Sequence, residues 1–405
     1  MAVGIAGLVF VIVGAALAAS GGGTNRLEGA LSAASAPYTT IFEQASQRPS
    51  TPAASTNLIR QPASSDSESA TPSTTTREPE GTVTTTMQPA TTTIPLPNIS
   101  TTIQIGQDPE TTGLGLRPPR ASGLAVGNGS AWTVRADTGI LYRVDTGTNA
   151  VVATLDVGGK GTNSSAYSLA LGFGSVFVIN YPGTTVIRVD TASNEIEATI
   201  KTGRAPHGIA VSETAVWVVQ RRRSTEGIEL VRIDPTANLA ANHYPLTGNF
   251  LDNATVAVGH GWLWVVVRRG FDGFLFKIDP QTGEIVSTTE LNCPGGLMVD
   301  ASGVWLTDEC PEPFGKRVLR IDPTDGSIAE EFPSTFVGYF TKRNDLIAMA
   351  RETESGTELL LWDEPWKGEP RTIALHGAPN VIGLAFDNGT IWGTTEGPAS
   401  LIRID

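Results

Sequence analysis

The chain has 405 residues and is acidic, with 41 Asp and Glu against 28 Lys and Arg and a formal net charge of −13. General nucleic-acid binding needs a basic face, so this balance argues against that class of protein. The length would allow two or three average domains, but all 8 Trp and both Cys lie beyond residue 130.

Residues 1–19 form an apolar segment, whose run AVGIAGLVFVIVGAALAA contains no charge. Its length is close to the roughly 20 residues that a membrane-spanning helix needs. It also ends in Ala16-Leu17-Ala18, the small-x-small pattern of a signal-peptidase site. We expect a signal peptide or an uncleaved anchor helix. Both place the rest of the chain on the extracytoplasmic side of a membrane, secreted or anchored. A buried core helix is the remaining alternative.

Residues 20–98 are dominated by Ser, Thr, Pro and Ala, and the stretch 70–94 contains no aromatic residue. Such a segment lacks the apolar side chains that would offset the entropy of ordering it. We therefore predict a disordered, stalk-like linker. Residues 99–405 remain to build a core, which is ample for a folded domain.

A short stretch recurs through the last three quarters of the chain, in forms such as VIRVDTASNE and VLRIDPTDGS. Its Asp returns at intervals of 41 to 45 residues, and such a period without helical patterning is typical of propellers and arrays. Each unit holds four short β-rich runs, and the second run usually carries a Trp or Phe. The recurring acidic residues are Asp145, Asp190, Asp234, Asp279, Asp322, Asp363 and Asp405.

Four strands in each of seven units predict an all-β fold, a seven-bladed β-propeller. The last unit ends at Asp405 after its third strand, so we expect the strand TTIQIG at 101–106 to complete that blade and close the ring. Asn128-Gly129 and Asn388-Gly389 predict two-residue hairpins. Each recurring Asp is interpreted as a turn residue, because its carboxylate can accept backbone N–H groups there.

The repeats resemble a known family. The forms Pro206-His207-Gly208-Ile209-Ala210-Val211, Val216-Trp217-Val218 and Arg232-Ile233-Asp234-Pro235 are similar to bacterial YVTN/YncE-type β-propeller repeats. They also resemble the related streptogramin B (virginiamycin B) lyase propellers. The likeness covers roughly residues 100–405 and implies a propeller fold, although propellers host unrelated functions.

The lyase resemblance implies a metal-dependent elimination that opens a macrolactone. That family places a His before the first strand of two neighbouring blades and a Glu at the end of a second strand. His207 matches one such position, whereas Tyr167 and Ala254 stand at the neighbouring ones and Gln220 stands at the Glu position.

A ligand-binding face is predicted where inner strands start and second strands end, because these points share one edge of each blade at the channel mouth. Both signs of charge converge there, which favours a polar or zwitterionic ligand. Taken singly, each of these residues is more typical of a solvated loop, and the prediction depends on the set. The predicted face consists of Arg135, Tyr167, Asn180, Tyr181, His207, Gln220, Arg221, Arg268, Asp308, Glu309, Arg351 and Glu396.

Two arginine runs, 221–223 and 268–269, fall in equivalent loops of adjacent blades. They indicate either a basic patch for a carboxylate, phosphate or acidic glycan, or two exposed loops. His243, His260 and His376 show no ligand spacing, so no metal site is predicted from them.

Cys293 precedes the first strand of the fifth unit and Cys310 follows its second strand. An antiparallel hairpin brings those two points together, so we predict a disulfide in an exported protein. The loop that it closes should be worth about 3 kcal/mol on the chain-entropy model.

These observations favour an exported or membrane-anchored ligand-binding or protein-interaction module that needs no cofactor. Its partners would be a polar or anionic small ligand, a glycan or a cell-surface protein, with membrane contact only through the N-terminal segment. The alternative is a lyase or hydrolase that uses His207 and a divalent metal held by Asp308, Glu309 or Glu396. A structural cell-envelope spacer is a third interpretation.

Overall fold

The computed structural model describes residues 99–106, 121–158, 168–180, 184–221, 227–246, 253–310, 315–334, 339–354, 356–363, 367–375, 380–397 and 399–405. The predicted N-terminal segment and stalk lie outside these residues. Within them the fold is all-β, with seven four-stranded antiparallel sheets, so the predicted seven-bladed propeller is confirmed. No helix in this described part has the length and hydropathy to cross a membrane.

The first strand of the chain, β1 (Ile99–Gln104), belongs to the last blade, and every other blade uses four consecutive strands. Blade 1 consists of β2 (Ala121–Gly127), β3 (Ser130–Arg135), β4 (Ile140–Asp145) and β5 (Val151–Asp156). Blade 2 consists of β6 (Leu169–Gly172), β7 (Ser175–Asn180), β8 (Thr185–Asp190) and β9 (Ile196–Lys201). Blade 3 consists of β10 (Arg204–Val211), β11 (Val216–Arg221), β12 (Ile228–Asp234) and β13 (Leu239–Pro245).

The second half of the ring follows the same order. Blade 4 consists of β14 (Asn253–Gly259), β15 (Trp262–Arg269), β16 (Asp272–Ile278) and β17 (Ile285–Asn292). Blade 5 consists of β18 (Pro294–Asp300), β19 (Gly303–Asp308), β20 (Lys316–Ile321) and β21 (Ile328–Ser334). Blade 6 consists of β22 (Phe340–Arg343), β23 (Leu346–Thr353), β24 (Gly356–Trp362) and β25 (Arg371–Leu375). Blade 7 consists of β26 (Val381–Asp387), β27 (Thr390–Thr395), β28 (Ser400–Ile404) and β1.

The ring closes through the two ends of the folded region. Strand β1 pairs antiparallel with β28, with Thr102 opposite Ile402. The inner strands of all seven blades contact their neighbours in order, and β2 contacts β26 across the closure. The closing strand begins at Ile99, two residues before the predicted start, and ends at Gln104. Just after its end, Ile105 donates its N–H to the Ala399 carbonyl at 3.0 Å. The closure removes a free sheet edge from blade 7.

The hydrophobic core lies between blades rather than within one central mass. Each pair of adjacent blades shares one cluster of buried apolar side chains among the described residues. The aromatic residues of the second strands are almost fully buried there. They are Trp132, Phe177, Trp217, Trp264, Trp305 and Trp392. Burying this apolar area is the main force that joins neighbouring blades.

The predicted hairpins between first and second strands are confirmed at both Asn-Gly sites. Asn128 and Gly129 have φ of 53° and 73°, and Asn388 and Gly389 have φ of 46° and 90°. Two successive positive φ angles define the type I′ turn, which matches the twist of the flanking strands.

The recurring Asp organises the turn between third and fourth strands. In Asp190, Oδ1 accepts the N–H groups of Ala192 and Ser193 at 3.0 and 2.7 Å. Asp145, Asp234, Asp279 and Asp322 accept backbone N–H groups in the same way. In Asp145, Asp190 and Asp234 these bonds, chiefly from the N–H three residues on, lower the pKa of the carboxyl group. Asp363 instead pairs with Arg371, and Asp405, at the end of the described chain, with Arg403.

A basic residue two positions before this Asp joins one blade to the next. The Arg188 guanidinium donates to the Pro235 carbonyl at 2.5 Å and to Asn238 Oδ1 at 2.9 Å, both in the turn of blade 3. It also lies over the Phe177 ring. Arg143, Lys277 and Arg403 reach the next blade in the same way, and Arg403 does so across the ring closure.

Candidate ligand site at the channel mouth

The start of each inner strand and the end of each second strand meet at one edge of the blade, as predicted. Asn253 pairs with Arg268 in blade 4, and Pro294 pairs with Asp308 in blade 5. These edges surround a cavity of about 680 Å³. Its described lining consists of Leu124, His207, Ala254, Thr255, Arg268, Pro294, Gly295, Gly296, Leu297, Glu309, Tyr339, Phe340, Gly383 and Leu384.

The cavity wall has an apolar and a polar part. Three leucines from blades 1, 5 and 7, together with Tyr339 and Phe340 of blade 6, supply the apolar surface. Apart from the Tyr339 phenol, the ionisable side chains on the described lining are those of His207, Arg268 and Glu309, from blades 3, 4 and 5. A cavity of this size and mixed lining is typical of a small-molecule site.

Arg268 and Glu309 form a loose ion pair across two blades. Their nearest charged atoms, Nη1 and Oε2, are 3.8 Å apart, and both side chains are partly exposed. The Arg268 Nε–H is donated to the Gly270 carbonyl at 2.9 Å instead. A pair with this separation and exposure adds little stability, so a ligand could separate the two charges at small cost.

Glu309 is positioned by Thr307 and by two glycines that the sequence analysis missed. The buried Thr307 hydroxyl donates to Glu309 Oε1 at 3.2 Å and accepts the Gly296 N–H at 2.6 Å. A Cβ at Gly295 would collide with the Glu309 carboxylate. The recognisable signal is Gly295, which occupies the strand position that His207 fills in blade 3.

His207 is a neutral imidazole at pH 7. Burial, and secondly the Arg221 guanidinium, lower the pKa of His207 to about 4. Desolvation and a nearby like charge both disfavour the protonated ring. A neutral imidazole has one hydrogen-bond acceptor and one donor.

Three other residues of the predicted face have their side chains between blades. Arg135, Asn180 and Gln220 are at most 8% exposed. They donate to the carbonyls of Ile105, Val157 and Thr202 at 3.0, 2.9 and 3.0 Å. Each of these carbonyls lies just after the outer strand of the preceding blade. The three residues therefore hold the connections between blades, and they do not belong to the described lining of the cavity.

Three further described residues of the predicted face lie apart from one another. Asp308 is buried and pairs with Arg317, and Arg351 pairs with Glu358 of its own blade. The Glu396 N–H is donated to the Asn380 carbonyl at 2.9 Å. Tyr167, Tyr181 and the arginines at 222–223 lie outside the described residues.

Of the other histidines, the two that the structure describes do not belong to the described lining of the cavity. His243 pairs with Glu229, with Nδ1 and Oε1 3.3 Å apart, and the exposed His260 ring contacts the Asp300 carbonyl. His376 lies outside the described residues.

The predicted disulfide between Cys293 and Cys310 is confirmed, with Cα atoms 5.1 Å apart. These two residues and Asp308 form a close group of metal-ligating residue types in the described part of the chain. Of the three predicted metal ligands of the lyase alternative, Asp308, Glu309 and Glu396, this group includes Asp308 alone.

The fold is shared with solved structures of several kinds. No protein-family model matches the chain, and no curated protein matches it either. The hydrazine synthase of Kuenenia stuttgartiensis is similar over 73% of this chain and 99% of its own, with 12% identity and a TM-score of 0.57. The structure of a streptogramin B lyase is similar over 75% of this chain and 96% of its own, with 13% identity and a TM-score of 0.56.

A third similar structure is the Cps50 (Swd1) β-propeller domain of Myceliophteria thermophila. It covers 76% of this chain and 99% of its own, with 15% identity and a TM-score of 0.56. At these identities the likeness establishes the propeller fold, and the different names of the three proteins leave the function to be argued from the site.

Proposed function

We propose that this protein is a binding module whose ligand occupies the channel-mouth cavity. The observation that carries the proposal is the single cavity wall that combines leucine and aromatic side chains with one cationic and one anionic group. The propeller suits such a site, because the closed ring supports the wall while blades 1 and 3 to 7 contribute different residues to its described lining.

The wall favours a ligand with an apolar body and a zwitterionic head. A carboxylate or phosphate would bind the Arg268 guanidinium, whose planar fork suits such anions. An amine would bind Glu309, whose carboxylate Thr307 already orients. The neutral His207 ring would bond a polar group between them. Each charge-assisted bond should contribute roughly 1.5–3 kcal/mol.

A matched set of three dipeptides tests this arrangement on the full-length protein. The probes are Leu-Phe, its N-acetyl derivative, which lacks the amine, and its C-terminal amide, which lacks the carboxylate. We expect Leu-Phe to raise the Tm most, because a ligand at a hundred times its Kd stabilises a protein by about 2.7 kcal/mol. The two modified dipeptides should bind at least about tenfold more weakly.

Two substitutions assign the contacts. Glu309→Gln should remove the preference for the free amine, and Arg268→Gln should remove the preference for the free carboxylate. Arg351→Gln is the control, because this arginine pairs with Glu358 and is not part of the described lining. An absence of any Tm shift, or equal shifts in all variants, would contradict the proposal.

A second candidate function rests on His207. A neutral imidazole inside the cavity could act as a base, and His207 stands at a position at which the lyases that the repeats resemble have a His. The position at which those lyases have a Glu is filled by Gln220, whose amide is bonded to Thr202 and Glu229 between the blades. We therefore favour binding, and a divalent metal belongs only to this lyase or hydrolase alternative.

We also propose that the protein works outside the cytoplasm and belongs among the YVTN/YncE-type propellers. The location is supported by the apolar residues 1–19 and the Ser/Thr/Pro-rich residues 20–98, and the family by the repeated forms around Trp217 and Asp234. A glycan or a cell-surface protein could present the same zwitterionic or anionic groups. Fractionation of cells that express the full chain tests the location: recovery in the cytoplasm would contradict it.

A further inference from the structure

Blade 5 departs from a pattern that blades 1 to 3 share. In these blades the residue three positions after the core aromatic is Arg135, Asn180 or Gln220. Its side chain donates a hydrogen bond to a backbone carbonyl in the segment that enters from the preceding blade. Blade 5 has Asp308 at this position. A carboxylate has no proton to donate, so Asp308 cannot make the same bond.

One oxygen of Asp308 is buried and has no hydrogen-bond partner in the described part of the chain. The residue is 1% exposed, and its Oδ2 accepts from Arg317 Nη2 at 2.5 Å. Oδ1 is shielded from solvent and accepts no hydrogen bond from the described residues. Leaving a buried acceptor unpaired is costly, so an atom of this kind calls for an explanation.

The disulfide lies beside this carboxylate. Cys293 and Cys310 are 0% and 3% exposed. One ligand atom from each of Cys293, Cys310 and Asp308 lies within 4.8 Å of the others. Thiolates and carboxylates are ligands that Zn²⁺ takes in proteins, and a tetrahedral site with three protein ligands keeps one position for water.

We propose that reduction of the Cys293–Cys310 disulfide creates a zinc site formed by the two thiolates and Asp308. A dithiol passes two electrons and two protons to the disulfide, which becomes two thiols while the dithiol becomes a cyclic disulfide. Zn²⁺ then displaces the two thiol protons. Two thiolates and one carboxylate give the bound ion a net charge of −1, which the neighbouring Arg317 guanidinium offsets.

A change in the redox state of Cys293 and Cys310 would affect the cavity wall through their chain neighbours. Pro294 and Glu309, the chain neighbours of the two cysteines, line the cavity. The Glu309 N–H is donated to the Cys293 carbonyl at 3.0 Å. The zinc proposal does not depend on the proposed ligand, because its evidence lies in Asp308 and the cysteines alone.

Zinc retention by the full-length protein tests the proposal. The protein is reduced with a water-soluble phosphine, supplied with Zn²⁺, passed through a desalting column and analysed for metal. We expect about one zinc per chain in the reduced protein and none in the oxidised protein. X-ray absorption should show two sulfur neighbours at about 2.3 Å. Asp308→Asn should weaken zinc binding at least about tenfold, whereas Asp345→Asn, at an exposed turn, should not.

A second measurement covers the case in which reduction unfolds the chain. Zn²⁺ at a hundred times its Kd should shift the thiol–disulfide equilibrium about 100-fold towards the dithiol in the wild type. Asp308→Asn should reduce that shift. Thiols of an unfolded chain would bind zinc without Asp308, so equal shifts in the two proteins would overturn the proposal. A reduced, folded protein that retains no zinc would overturn it as well.

Discussion

Position along the second strand decides what an edge residue does in this propeller. Residues three positions after the core aromatic, such as Asn180 and Gln220, are buried between blades and hold the incoming connection. Residues one position further on, such as Arg268 and Glu309, reach the channel mouth. Because successive side chains of a strand point to opposite faces, a shift of one residue exchanges a structural role for a binding role.

His207 gives a prediction at this scale. Its pKa in the folded state, about 4, lies below the ordinary histidine value of 6.5. The unfolded chain therefore binds a proton between these two pH values, whereas the folded protein does not. The free energy of unfolding should fall as the pH drops from about 6.5 to about 4, by at most roughly 3 kcal/mol from this residue.

Urea unfolding of wild type and His207→Gln across that pH range measures this contribution. The variant should show a flatter dependence on pH, because it lacks the imidazole whose pKa is lowered. His260→Gln removes an exposed ring and should keep the wild-type slope. Parallel curves for wild type and His207→Gln would show that His207 is protonated in the folded protein as readily as in the unfolded chain.

At the scale of elements, the recurring Arg-x-Asp stretch makes one turn and one bond between blades. Asp190 caps its own turn, while Arg188 reaches the turn of the next blade. Arg188 is 8% exposed, and its guanidinium also bonds Ser175 Oγ at 2.9 Å. The repeated stretch therefore stabilises both the turn within its own blade and the contact with the next blade.

Arg188→Gln should lower the free energy of unfolding by roughly 1.5–3 kcal/mol, because buried acceptors in blade 3 lose a charged donor. Arg232 is the matched control. It holds the same repeat position, but its guanidinium bonds the Thr214 carbonyl of its own blade, at 3.4 Å near the surface. Arg232→Gln should therefore have a smaller effect in the same urea titration. Equal losses would refute a special role for bonds between blades.

The strands and turns that follow the repeated pattern can be predicted from the sequence. The site residues, which differ from blade to blade, are predicted poorly. The period, the Asn128-Gly129 turn and the position of Trp217 all follow from local rules of turns and apolar patterning. The Cys293–Cys310 pair follows from hairpin geometry. In contrast, Thr307 and Gly295 matter because of what packs against them, and a single sequence does not contain that information.

The separation of structural from binding residues on the predicted face also needed coordinates. Arg135 and Arg268 are both arginines at the end of a second strand. The first is 1% exposed and bonded to Ile105, whereas the second lines the cavity. Arg135 lies three residues after its core aromatic and Arg268 lies four residues after its own, so the two side chains point to opposite faces, and residue type alone does not reveal this difference.

At the scale of the whole molecule, the closure of the ring brings together blades that line the proposed binding cavity. Pairing of β1 with β28 brings blade 7 beside blade 1, and both blades contribute leucines to the cavity, Leu384 and Leu124. The polar residues come from blades 3, 4 and 5. The cavity therefore depends on the closed ring, while its chemistry depends on a few side chains that differ from blade to blade.

The most direct test of the central claim is native mass spectrometry of the full-length protein with Leu-Phe. The account predicts a complex of one dipeptide per chain, release of the dipeptide with its mass unchanged, and no complex with the Arg268→Gln/Glu309→Gln double variant. The absence of a complex with the wild type, or its persistence in the double variant, would contradict the assigned site. Release of a molecule with altered mass would contradict a binding role and favour an enzyme.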